Sequence, residues 1–187
     1  SFCFEEPITR EPITREDFLR YARDITLDPN TADTRLSLSD GNRRVVHVSK
    51  QSYPNHPDRF SVLQVLSREE LTGRCYWELE WSGYAYAAAA YKDTERNYYF
   101  GQTDKSWALR CHNSGYSFYY NKVQSNLSGP VGSRIGVYLD HSAGALSFYS
   151  VQGQTMKLLQ RVETEFTRPL HAGVYVYEGS VHFPKLK

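Results

Sequence analysis

Histidine, cysteine and paired acids are the side chains that most often do chemistry, and their spacing here argues against it. The six histidines, His47, His56, His112, His141, His171 and His182, are scattered along the chain. None falls in a His-Glu-x-x-His pattern, and no Gly-x-Ser-x-Gly elbow, phosphate loop or Gly-x-Gly-x-x-Gly stretch is present. Cys111 and His112 are adjacent, but neighbours on a strand point to opposite faces, so they make a poor nucleophile–base pair or metal site. Glu78 and Glu80 stand two apart and share a strand face, where a solvated pair of acids is the simpler expectation than a catalytic one. The expectation is therefore no catalysis, no metal and no cofactor. What the 187 residues do hold in excess is tyrosine, 15 of them. Tyrosine suits a pleated, half-buried strand and also supplies a rigid contact surface with one polar tip.

Charge and hydropathy exclude further classes. The net charge is +1 and the longest basic runs are short pairs such as Arg43-Arg44. Nucleic-acid binding, which needs a basic stripe, is not expected. No run of about 18 apolar residues exists, so membrane insertion by this chain is not expected either. The three cysteines, Cys3, Cys75 and Cys111, cannot all pair with one another. Free thiols in a reducing compartment are the simpler expectation. Asn126-Leu127-Ser128 is a formal glycosylation triplet that would matter only on a secreted route. A chain opening at Ser1 without a targeting segment reads as part of something longer.

The elements that would position these side chains are strands. A tandem pair, Glu6–Arg10 and Glu11–Arg15, leads into one helix signal. Thr14 as N-cap and Asp17 three residues on form a capping box, with Ile13 and Phe18 at the staple positions. The spacing predicts a helix over about Arg15–Arg23, ending before Asp28-Pro29. Beyond Pro29 come about a dozen short strand signals divided by turns. Gly73–Trp81 alternates most clearly, with Cys75, Trp77, Leu79 and Trp81 on one face and Tyr76, Glu78 and Glu80 on the other. Trp77 and Trp107 are expected in the core, with Trp81 near a sheet end. Tyr98–Gly101 is expected as a strand, and Asn121–Gly132 as a loop after the strand Gly115–Tyr120. Such spacing argues a sandwich or barrel in one domain.

Several segments in order resemble a known family. Leu27-Asp28-Pro29-Asn30-Thr31-Ala32, Leu36-Ser37-Leu38-Ser39 and Asn42-Arg43-Arg44-Val45 resemble the PRY segment. Gly73–Glu80, Trp107-Ala108-Leu109, Arg134–Asp140, Gly144–Tyr149 and Phe166–Gly173 resemble the successive SPRY signatures. The closing His182-Phe183-Pro184 departs from the Leu-Cys-type strand of many relatives. The resemblance covers Phe18 to Phe183 and implies an all-β fold, a bent two-layer antiparallel sandwich (B30.2-type) with a short N-terminal helix. It divides the chain into an N-terminal extension at 1–13, a PRY segment at 14–68 and a SPRY segment at 69–187, the last two forming one compact domain.

The implied function is non-catalytic protein recognition, through variable loops, by a domain expected to be monomeric in isolation. The wording of the motifs is most like fish members. There the domain ends tripartite-motif ubiquitin ligases and NOD-like immune receptors, which implies a cytoplasmic C-terminal domain of a larger immune protein. It also ends stonustoxin-type pore-forming toxin subunits, and this alternative implies secretion and contacts with a sister subunit or target. By its place in the pattern, the segment Phe118, Tyr120, Asn121 and Lys122 corresponds to the aromatic contact segment. Tyr175 and Tyr177 correspond to the last contact loop, and Glu95 and Arg96 to another. Tyr84, Tyr98, Tyr99 and Tyr119 lie in or beside expected loops. Tyr120 is expected at the centre of the site. Pleat alternation offers the opposite arrangement, with Phe118 and Tyr120 inward and Tyr119 exposed.

Overall fold

The computed structural model describes residues 10–186, so Cys3 and the first repeat up to Thr9 lie outside it. Among the described residues one helix, α1 (Arg15–Leu19), precedes thirteen strands. These are β1 (Leu36–Ser39), β2 (Arg44–His47), β3 (Gln64–Leu66), β4 (Arg74–Trp81), β5 (Tyr84–Tyr91), β6 (Ser106–His112) and β7 (Gly115–Tyr120). They continue as β8 (Val123–Leu127), β9 (Arg134–Asp140), β10 (Ala145–Gln152), β11 (Thr155–Glu163), β12 (Leu170–Glu178) and β13 (Ser180–His182). Two antiparallel sheets result, ordered β1-β2-β13-β4-β9-β10-β11 and β3-β12-β5-β6-β7-β8. The first three strands are shared between the sheets, β1 and β2 extending the first and β3 edging the second. The N-terminal third therefore folds into the same body as the rest.

Alternating side chains of the two sheets meet in one core. Cys75, Trp77, Leu79 and Trp81 of β4 are buried, as are Ala85, Ala87 and Ala89 of β5 and Trp107, Leu109 and Cys111 of β6. Phe118 of β7 reaches across to Phe148 of β10, ring centroids 5.8 Å apart. Burial of this kind is the main favourable term in folding.

The helix begins where the capping box requires. Thr14 Oγ1 accepts from Asp17 N, and Thr14 N donates to the Asp17 carboxylate. It ends four residues earlier than the spacing predicts, because the chain leaves it to pair with β4. Tyr76 N donates to Tyr21 O and Arg23 N donates to Tyr76 O. The expected staple is not made, since Ile13 is 71% exposed while Phe18 is fully buried. Phe18 plugs the outer face of the first sheet against Tyr76, Tyr138 and Tyr149, with centroids 5.0–5.3 Å away. Gly136 on β9 makes room for the Tyr76 ring beneath the plug, because a Cβ there would meet Tyr76 Oη at 2.4 Å.

That cover corrects the expectation for Glu78. It is buried, 1% exposed, rather than solvated. Arg15 of α1 donates to it through Nε and Nη2 at 2.8 and 3.0 Å, Arg134 of β9 through Nη1 at 2.7 Å and Tyr76 through its hydroxyl at 2.5 Å. Burial pushes its pKa up, but these donors outweigh burial and hold the carboxyl below its ordinary range. Two other expectations also change. Residues 98–101 form turns and no strand, and the expected loop after Tyr120 contains the strand β8.

Candidate functional site

The outer face of the second sheet is built by period-two alternation, like the core on its other side. On β5, Ala85, Ala87 and Ala89 point inward, so Tyr84 and Tyr86 point out. Register places Tyr86 opposite Arg110 of β6 and Tyr175 of β12, and Tyr84 opposite His112. On β7 the inward residues are Tyr116, Phe118 and Tyr120, which leaves Ser117 and Tyr119 outside. A register shift between Val176 and Glu178 bulges Tyr177 out of the β12 ladder, where it is 55% exposed. His47 Nδ1 stands 2.7 Å from Tyr177 O and donates to it, which fixes the bulge.

Half of this face is covered. Phe100 packs on it over Gly173, where a Cβ would meet the ring at 2.8 Å. The buried amide of Gln64 holds the covering segment at two points, its Nε2 donating to Tyr98 O at 3.2 Å and its Oε1 accepting from Phe100 N at 2.8 Å. Between those points Tyr99 is swung over the open half, edge-on to Tyr175 at 5.2 Å.

The rest of the face is a run of contacting tyrosines, with Tyr86 and Tyr175 buried, Tyr84 and Tyr119 half-buried and Tyr99 and Tyr177 exposed at the rim. Tyr86 stacks on Tyr119 at 5.7 Å with 18° between planes, and lies 4.8 Å from Tyr175. Tyr84 meets Tyr177 at 5.6 Å and Tyr175 at 6.4 Å. Tyr84, Tyr86, Tyr99, Tyr175 and Tyr177 line an open depression of about 380 Å³. Burial, reinforced by the neighbouring tyrosines, pushes the Tyr175 hydroxyl up to about 12 and raises Tyr86 as well, so both stay protonated near neutral pH. The patch thus offers aromatic area, mostly in edge-on contacts, carrying hydroxyl groups.

The residues singled out from sequence divide. Tyr84, Tyr119, Tyr175 and Tyr177 come together in this patch. Phe118 does not; it is 6% exposed and belongs to the core. Tyr120 lies on the inner side, stacked on Trp107 at 5.2 Å and 6°, half-buried and lining a separate open depression with Trp107 and Phe118, so it faces away from Tyr119 as pleat alternation requires. Asn121 and Lys122 form the exposed two-residue turn between β7 and β8, with φ of 50° and 70°. Arg96 organises its own loop, its Nε donating to Asp58 O and its Nη1 to Thr94 O, both at 2.7 Å, while it lies over Phe60. Glu95 is engaged there too, accepting from Thr103 Oγ1 at 2.9 Å. Tyr98 is 52% exposed beside the patch. Sequence reasoning does not single out Tyr86 or Arg110. The signal for both is their place in alternation with buried Ala85, Ala87, Leu109 and Cys111.

Among the described residues no group of three or more His, Cys, Asp or Glu side chains is placed to hold a metal ion. Cys111 is buried on the inner face, while His112 points out and bonds to Ser114 Oγ at 2.8 Å. Among the described residues no helix is long and apolar enough to cross a membrane.

Fold and patch define an antiparallel β-sandwich domain that leaves one aromatic sheet face open. Comparison with known proteins gives its family. Residues 25–71 match the SPRY-associated domain PRY, and residues 74–184 match the SPRY domain. The chain belongs to the PRY–SPRY family. It is 38% identical over 179 residues to stonustoxin subunit alpha of Synanceia horrida, covering 90% of this chain and 26% of that protein. It is 32% identical over 176 residues to tripartite motif-containing protein 16 of Mus musculus, covering 89% of this chain and 32% of that one. The chain thus spans about a quarter to a third of these relatives. Among solved structures, stonustoxin aligns with a TM-score of 0.84 at 32% identity, over 91% of this chain and 28% of that one. The TRIM65 PSpry domain aligns with a TM-score of 0.85 at 25% identity, over 96% of this chain and all of that one.

Proposed function

We propose that this domain is a protein-recognition module and that its contact surface is the tyrosine patch on the outer face of the second sheet. The observation that carries this is the run of Tyr84, Tyr86, Tyr99, Tyr175 and Tyr177 around one open depression, extended by Tyr119 stacked on Tyr86, with Tyr99 and Tyr177 47% and 55% exposed. Exposed clustered aromatics are the residues that interface hot spots use.

The test is a selection of binders from a phage-displayed peptide library on the purified domain. Most binders are expected to lose at least about thirtyfold in affinity on Tyr177→Ala or Tyr99→Ala, equivalent to about 2 kcal/mol at a hot spot. A pool that neither substitution weakens would overturn the assignment.

The context we propose is a larger immune protein of the ubiquitin-ligase or NOD-like-receptor kind, supported by the alignment with the whole TRIM65 PSpry domain. A second reading is a toxin subunit in which the same face meets a sister subunit. The higher identity to stonustoxin subunit alpha, 38% against 32% for the mouse tripartite-motif protein, favours it. Sequence upstream of Ser1 separates them: a RING and coiled coil or a nucleotide-binding array supports the first, a perforin-like domain the second.

A further inference from the structure

Arg110 stands beside the tyrosine depression, between Tyr86 and Ser117 in register, and has no counter-charge among the described residues. Its Nη1 donates to Tyr119 Oη at 3.3 Å and its Nη2 to Ser117 Oγ at 3.0 Å. Its guanidinium carbon lies 5.9 Å from the centre of the Tyr84 ring. Its Nε is shut off from solvent and bonds to nothing among the described residues. No carboxylate of the described residues comes within 4.0 Å, including Glu178 at the end of the neighbouring strand β12.

This sets Arg110 apart from every other described arginine that is not exposed. Arg15 and Arg134 share Glu78, Arg35 holds Asp33, Arg43 faces Asp24 and Arg74 faces Asp140. Arg161 holds Glu11 and Arg168 holds Asp93. Arg59 and Arg96 are spent on backbone carbonyls. Arg110 alone is left with two neutral hydroxyls. A guanidinium has five N–H donors, so after those two bonds three remain, one on each nitrogen.

We infer that Arg110 is a specificity residue of the patch, and that the partner presents an aspartate or glutamate side chain to it. The inference rests on the proposed role of the patch and adds the chemistry of what it binds. A half-buried cation that has lost water without gaining an anion makes an unusually strong site for one. The planar fork matches a carboxylate with two parallel, charge-assisted bonds. The surrounding rings supply apolar area beside the fork, and the protonated hydroxyls of Tyr86 and Tyr175 put no competing negative charge there. The other guanidinium near these rings, Arg35 beside Tyr99 and Tyr175, is already held by Asp33, so Arg110 fits one carboxylate better than a phosphate group, which recruits several cations.

The same phage selection tests this, run in parallel on the wild-type domain and on Arg110→Gln. Binders that Tyr177→Ala weakens are sequenced, and the chosen peptides are remade with each Asp changed to Asn and each Glu to Gln. Patch-directed peptides from the wild type are expected to carry an acid whose amide replacement costs at least about tenfold, roughly 1.4 kcal/mol. On Arg110→Gln the acidic and amide peptides should bind equally, and Arg110→Lys should recover only part of the preference, because it restores the charge without the fork. An unchanged melting temperature for Arg110→Gln shows that the loss is not unfolding. If Arg110→Gln unfolds, Arg110→Lys carries the test, with a reduced acid preference expected. Peptides that need Tyr177 yet show no acid preference, or keep it in Arg110→Gln, overturn this inference and leave the patch standing. Binders indifferent to Tyr177 and Tyr99 overturn the patch itself.

Discussion

The two sheets have outer faces of similar composition and opposite fate. On the first, Tyr76, Tyr138 and Tyr149 close around Phe18 from α1, and the charged residue among them, Glu78, is matched by two arginines. On the second, Tyr86 and Tyr175 are buried among their neighbours, Tyr84 and Tyr119 are half-buried, Tyr99 and Tyr177 stay exposed at the rim, and Arg110 has no carboxylate within 4.0 Å among the described residues. Tyrosine on a strand therefore says little by itself. The cover decides: where a distant segment returns to fill the face, the aromatics become a second core. Where less of the chain returns, the rim of the face, Tyr99 and Tyr177, stays exposed. The charges agree with this division, because a charge sealed under a cover must be compensated inside the chain.

The largest expected effect lies under the cover. Phe18→Ala empties a fully buried ring site and should cost about 3–5 kcal/mol in urea unfolding. Tyr177→Ala, on the open face, should stay within about 0.5 kcal/mol, as surface changes usually do. Equal losses for the two would remove the distinction between the faces.

Next comes Glu78. Its removal as Glu78→Ala leaves Arg15 without a counter-charge and should cost about 3 kcal/mol at pH 7, near the lower end for breaking a buried pair. Acid should have a graded version of the same effect. The folded pKa lies below the ordinary glutamate value of 4.5. The ionised form therefore contributes its full stability above that value, and the contribution is lost as the pH falls through the lower, folded pKa. The stability gap between wild type and Glu78→Gln should be constant from pH 6 to 8 and shrink below about pH 4.5. A gap that widens in acid would show the carboxyl to be protonated in the native state.

A smaller and more pointed comparison runs along one strand. Tyr119 and Tyr120 are neighbours on β7, yet they face different sheets of side chains. Tyr120→Ala removes the partner of the Trp107 stack and should lower stability by about 1–3 kcal/mol with little change in binding. Tyr119→Ala should do the reverse, losing about 2 kcal/mol of binding to patch-directed peptides. Unfolding curves and peptide titrations on both variants decide it, and loss of binding in Tyr120→Ala alone would return the site to the other face.

How far the sequence shows this depends on range. Strand alternation is local, so β4, β5 and β7 are legible, and so is the capping box that starts α1. The end of α1 is not, because it is set by main-chain bonds to Tyr76, more than fifty positions away. Glu78 reads as solvated for the same reason: alternation assigns it to the outer face, and nothing near it tells that a helix will close over that face. The patch is half legible. Tyr175 and Tyr177 stand out by resemblance to contact loops, whereas Arg110 becomes distinctive only when every other unexposed arginine is seen to have an acid or carbonyl. β8 is hidden by composition, since Val123–Leu127 is polar and exposed and the turn before it lacks the glycine that usually announces a hairpin.

That turn gives the smallest expected effect. Asn121 and Lys122 both have positive φ, the backbone that a two-residue type I′ turn demands. Asparagine tolerates this conformation, but a lysine Cβ does not, at a cost on the order of 1 kcal/mol. Lys122→Gly removes that strain, while the added freedom of glycine in the unfolded chain takes some of the gain back. The bond from Lys122 N to Gly101 O, 3.0 Å long, survives the change, and so does that from Asn121 N to Thr103 O. The net expectation is a gain of about 0.5 kcal/mol, a small upward shift in Tm. Binding to patch-directed peptides should change less than about twofold, because the lysine side chain lines no part of the depression formed by Tyr84, Tyr86, Tyr99, Tyr175 and Tyr177. A tenfold loss of binding at unchanged stability would extend the contact surface past Tyr119 to this hairpin tip, where the resemblance to contact segments first placed it. The open face would then be wider than its aromatics, and its border would be set by the β7–β8 turn.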